Sequence, residues 1–76
     1  MYTKQEKRVL EQILKAKSNQ EIADTLFISR HTVKAHVEHL LKKSNTSSRI
    51  ELIIKTMNEE IERLRNIITE NDIPLQ

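Results

Sequence analysis

Ser18-Asn19-Gln20-Glu21-Ile22-Ala23-Asp24-Thr25-Leu26-Phe27-Ile28-Ser29-Arg30-His31-Thr32-Val33-Lys34-Ala35-His36-Val37 is the stretch that decides the fold. Ser18, three residues ahead of Glu21, fits the capping box, in which hydroxyl and carboxylate each satisfy a backbone donor at a helix start. Ser29 caps a second helix, which runs on through Thr32. Phe27 and Ile28 are all that separates Leu26 from Ser29, which leaves room only for a tight turn. Two short helices joined in this way form a helix-turn-helix, whose second helix enters the DNA major groove.

The same start signals recur on both sides. Thr3 with Glu6 and Ser48 with Glu51 make two more capping boxes, and the polar run Ser44-Asn45-Thr46-Ser47 ends the helix that Ser29 opens. The spacing predicts four helices, over residues 4–16, 19–26, 30–43 and 48–70, and an all-α fold. Val9, Leu10, Ile13 and Leu14 line one face of the first helix, at the spacing of a 3.6-residue repeat. Ile22, Ala23 and Leu26 do the same for the second, Ile28 packs at the turn, and Val33, Val37, Leu40 and Leu41 serve the third. Ala23 is small enough to let the next helix approach closely. Residues 1–53 form the reading domain, 48–70 an extended fourth helix, and 71–76, with Pro74, a frayed tail.

Composition narrows the function. Seventy-six residues allow one small domain and no enzyme-sized cleft. With no cysteine there are no disulfides, thiolate metal sites or cysteine nucleophiles, which suits the cytoplasm. No apolar run approaches the roughly 20 residues of a membrane span, and no signal-peptide pattern opens the chain. Glycine is absent and proline occurs once, a bias toward helix throughout. The net charge of +2 conceals an asymmetry: residues 1–49 carry ten Lys or Arg against five Asp or Glu, and residues 50–76 carry three against six. A basic half of +5 meeting an acidic half of −3 is expected if the first half contacts a polyanion.

With the apolar row of the third helix turned to the core, Arg30, His31, Lys34, Ala35, Glu38, His39 and Lys42 face outward, and Lys43 ends the basic stretch. Lys34 or Arg30 suits guanine, and the Ala35 methyl suits thymine. Ser29, Thr32 and Asn19 stand at helix starts, where backbone N–H groups and the helix dipole favour phosphate. Glu38 repels phosphate, yet it can accept from a cytosine amino group or hold a neighbouring lysine. His31, His36 and His39 lack a matching carboxylate or cysteine, so no metal site is expected. Neither a cofactor nor a small-molecule ligand is suggested, and no nucleophile and base are paired.

The run from Thr3 to Ile53 resembles the LuxR/GerE-type DNA-binding domain, which is also the output domain of NarL/FixJ response regulators. The residues that carry the resemblance are Glu6, Val9-Leu10, Ser18-Asn19, Glu21-Ile22-Ala23, Leu26-Phe27-Ile28-Ser29, Thr32-Val33-Lys34, His36-Val37, Lys43 and Ser48-Arg49. The resemblance implies a four-helix domain that binds a two-fold site on double-stranded DNA as a homodimer and regulates transcription. It also implies that Lys34, Ala35 and Glu38 occupy groove-reading positions. Several residues depart from the family pattern. Glu38 stands where a basic or small polar side chain is usual. Ala16 and Asn45 replace glycines, with a left-handed backbone expected at Ala16 at a cost of about 1 kcal/mol. Ser44 and Thr46 replace apolar residues, which predicts an underpacked junction between the third and fourth helices.

Ile50, Ile54, Met57, Ile61, Leu64 and Ile68 follow one another at spacings of 4, 3, 4, 3 and 4, an unbroken heptad series. Ile54, Ile61 and Ile68 at a, with Ile50, Met57 and Leu64 at d, favour two parallel strands. Glu60 at g and Arg65 at e of the next heptad are then placed to pair between partners. Near Ile50, Leu52 and Ile53 the helix is expected to pack on its own first helix. The family's fourth helix is usually short; here it is longer. Two other readings share the pattern: a sigma region-four-like module, which would add RNA polymerase as a partner, and a protein-interaction adaptor derived from a helix-turn-helix.

Overall fold

The computed structural model describes residues 1–70 and contains four helices: α1 (Lys4–Leu14), α2 (Asn19–Leu26), α3 (Arg30–Ser44) and α4 (Arg49–Glu70). The capping boxes at Thr3 and Ser18 are complete, with serine or threonine oxygen accepting from the N–H of the glutamate three residues on and the carboxylate accepting from the cap N–H. Ser29 accepts from the Thr32 N–H at 3.0 Å and its hydroxyl also meets that of Thr32 at 2.8 Å. At Ser48 the box is half formed: the hydroxyl accepts from the Glu51 N–H, and the Glu51 carboxylate accepts from that hydroxyl instead of the backbone.

The first three helices end alike. A backbone N–H reaches back five residues, from Lys17 to Gln12, from Ile28 to Ala23 and from Thr46 to Leu41, and the residue before each donor turns left-handed. Such a turn places its penultimate residue at positive φ, where glycine is usual. This chain has no glycine, so Ala16, Phe27 and Asn45 take φ of 61°, 57° and 58°. Asn bears this readily; Ala16 and Phe27 each carry a penalty of about 1 kcal/mol. The turn at Ala16 is why α1 stops at Leu14, two residues earlier than the apolar spacing predicts.

Val9, Leu10, Ile13, Ile22, Ala23, Val33, Leu40 and Leu52 form the buried core. Leu14, Leu26, Ile28, Val37, Leu41 and Ile53 pack around it, half-buried. Each helix thus lays its predicted apolar face against the others, and α3 touches all three. Ile50 is a correction: it is 66% exposed, so the apolar side chains that seat α4 on the core are Leu52 and Ile53. At Ser44 and Thr46 the junction of α3 and α4 is closed by polar bonds. The buried Ser44 hydroxyl donates to the Leu41 carbonyl and meets the Thr46 hydroxyl at 2.7 Å, while the Lys55 ammonium of α4 donates to the Ser44 carbonyl. From Met57 to Thr69 every residue of α4 is exposed, so this half of the helix stands clear of the domain and stretches the molecule to 50 × 23 × 20 Å.

Candidate nucleic-acid interface

Packing of Val33, Val37, Leu40 and Leu41 against the core fixes the rotation of α3 about its axis, and thereby what it offers to solvent. Arg30, His31, Lys34, Glu38 and Lys42 are exposed and Ala35 is half-buried among them. Among the described residues, none of these side chains is held by an ion pair or a side-chain hydrogen bond. Their charges are therefore unspent, and three cations with one carboxylate lie along one helix face. Ser29 and Thr32 sit at the positive end of the helix dipole, beside Arg30.

The expected phosphate-contacting group Asn19 is brought next to this helix. Ser18, Asn19, Arg30 and Arg49 line one open depression at the start of α2. The Arg49 guanidinium donates to Asn19 Oδ1 at 2.6 Å and to the Lys17 carbonyl. With Oδ1 taken, the amide of Asn19 keeps only its NH₂ group for an outside acceptor, which is the polarity a phosphate requires. Arg49 is a residue that periodicity did not single out as functional. The available signal was an arginine placed just after the Ser48 cap, where a solvated charge has no local reason to be.

His39 and Lys43, expected on the DNA face, stand at its rim and turn toward α1. The Lys43 ammonium donates to Glu6 Oε1 at 2.7 Å and to the Met1 carbonyl at 3.3 Å, and His39 Nδ1 lies 3.9 Å from Glu6 Oε2. Glu6 itself is only 3% exposed. The hydrogen bond from Lys43, reinforced by the Thr3 N–H, lowers its carboxyl from the ordinary 4.5 to about 2. A carboxyl depressed in the folded state contributes stability above its unfolded value and loses that contribution as pH falls through the folded one. The difference in urea stability between the native chain and Glu6→Gln is therefore expected to be full at pH 7 and to close between pH 4.5 and about 2. A gap unchanged down to pH 2 contradicts this assignment.

His36 of α3 is half-buried, and among the described residues its Nδ1 has no hydrogen-bond partner. The described residues hold no cluster of three or more His, Cys, Asp or Glu suited to a metal ion, and no helix among them is long and apolar enough to cross a membrane.

On α4, Ile50, Ile54, Met57, Ile61, Leu64 and Ile68 are all exposed, joined by Ile67. Glu60 pairs with Arg63 and Arg65 with Glu62, each one turn apart on the same helix and on the surface.

Residues 1–56 match the GerE family, bacterial regulatory proteins of the luxR family. The chain belongs to the LuxR family. Among curated relatives, this LuxR-family chain is 53% identical over 47 residues to the transcriptional regulatory protein YhcZ of Bacillus subtilis, covering 62% of this chain and 22% of that protein. It is 50% identical over 48 residues to a nitrate/nitrite response regulator protein homolog of Haemophilus influenzae, covering 63% and 23%. It is 37% identical over 59 residues to the oxygen regulatory protein NreC of Staphylococcus carnosus, covering 78% and 27%. The matched segment is thus about a quarter of each relative's length. The LuxR family is one of DNA-binding transcription regulators and not of enzymes.

Proposed function

We propose that this chain is a sequence-specific, DNA-binding regulator of transcription that acts as a homodimer, with residues 1–53 reading DNA and residues 48–70 pairing two copies. The observation that carries the reading is the row of unspent charges on α3, in a fold built to present that helix. In this reading α3 lies in the major groove. Arg30, Lys34 and Ala35 face base edges, with His31 beside them. Asn19, Ser29, Thr32 and Lys42 hold phosphates. Arg49 acts through Asn19 as a positioning residue. His39 and Lys43 flank the groove, the latter shared with Glu6.

Pairing through α4 is supported by the exposed heptad seam. A helix half that stands clear of its own core is marginal in water, and covering each half-exposed Ile or Leu is worth about 1 kcal/mol. A second copy supplies the matching face. Glu60 and Arg65 can exchange their exposed partners on α4 for each other across a parallel dimer at little cost, since such surface pairs contribute about 0.5 kcal/mol.

Salt tests the DNA reading. Each phosphate neutralised releases counterions, so a plot of log affinity against log salt is expected to fall linearly, with a slope of about −0.9 for each phosphate held. Absence of measurable binding to mixed-sequence duplexes at about 50 mM salt contradicts the reading.

A further inference from the structure

We infer that Glu38 is a specificity residue that selects a cytosine in each half-site by accepting a hydrogen bond from its exocyclic amino group. The inference rests on the DNA-binding reading above and deepens it. Glu6, Glu11, Glu60 and Glu62 each hold a cation. Glu38 has Lys34 one turn before it and Lys42 one turn after it, at the spacing where helix ion pairs form, yet neither ammonium is within ion-pair reach of it. Its carboxylate is exposed on the helix face that carries Arg30, Lys34 and Lys42, and no ion pair neutralises it among the described residues.

A bare carboxylate between two phosphate chains is repelled wherever it meets no donor. In the major groove the donors are the amino groups of cytosine and adenine. The adenine amino lies between two acceptors, its own N7 and the thymine O4, and both repel a carboxylate. The cytosine amino has an acceptor on one side only, the guanine O6, and a C–H edge on the other. Cytosine is therefore the base that a carboxylate at this position accepts. Lys34 lies one turn, about 6 Å, before Glu38 along α3, which puts the selected cytosine within about two base pairs of whatever base Lys34 reads.

The test compares the native chain with Glu38→Gln. Because Glu38 is exposed and on a helix that glutamine also favours, the variant keeps the fold, which circular dichroism checks. Each protein selects sites from a random DNA pool, and each is then titrated against the native chain's best site with single base pairs changed in turn. For the native chain, one cytosine in each half-site is expected to be required, its loss costing about tenfold in affinity. Glu38→Gln, which can both donate and accept, is expected to relax that position or turn it toward adenine and to bind random DNA several-fold more tightly, since a repulsive charge is gone. If both proteins select the same base at every position, the inference is overturned while the DNA reading stands. If the variant tightens all duplexes equally, Glu38 is a solvated charge and the inference also fails. If the native chain enriches no sequence at all, both fail together.

Discussion

An Ile61→Asp variant sediments as a monomer and binds a two-fold DNA site at least about 100-fold more weakly than the native chain. Ile61 lies at the middle of the α4 seam, 53% exposed and far from the core of Val9, Ile13, Ile22 and Leu40. An aspartate there leaves the reading domain untouched and places a charge at an a position, where the paired helices would have to desolvate it. The loss in DNA affinity follows from linkage: two reading helices on one dimer make the second contact intramolecular, and separating them forfeits an advantage of about 10²–10⁴. The free half of α4 also loses helix, because from Met57 to Thr69 its residues are exposed and the core of the domain does not hold them. A variant that sediments like the native chain removes the seam from the account.

Lys34→Ala weakens binding to the chain's own site by about 5- to 150-fold while affecting random DNA much less. Lys34 is exposed, free of intramolecular partners and one turn from the N-terminus of α3, where a helix entering the groove first meets base edges. A lysine that donates to guanine carries sequence preference, so its loss reduces the ratio of specific to random binding. A lysine that only meets phosphate lowers both equally and flattens the salt slope by about one. Titrations of both kinds of DNA at several salt concentrations distinguish the two roles.

Much of the fold was legible because its signals are local. A hydroxyl and a glutamate three residues apart announce a helix start, and Thr3, Ser18 and Ser29 cap the helices expected of them. The apolar rows did the rest, since a 3.6-residue repeat fixes which side of each helix is buried. What stayed hidden depends on partners far along the chain. Glu6 meets Lys43 across 37 positions and Arg49 meets Asn19 across 30, and no periodicity links such pairs. Hence the bond from Lys43 to Glu6 was not read beside its expected place on the DNA face, and Arg49 was passed over as a site residue. Ile50 read as a core neighbour as well as a seam residue, yet helical rotation sets it roughly 200° from buried Leu52, and it is 66% exposed. The left-handed turn at Ala16 was expected from a family comparison; that at Phe27, 94% exposed, had no local sign. The frayed tail expected over 71–76 lies outside the described residues.

The central claim is that a dimer presents two copies of α3 to DNA. Selection of bound duplexes from a random pool by the native chain tests it most directly, because one experiment reports binding, half-site sequence and symmetry together. The account predicts an enriched inverted repeat with the same short sequence in each half, its arms about one helical turn or a multiple of it apart. A pool with no enrichment, or one enriched in single half-sites without a symmetric partner, contradicts it.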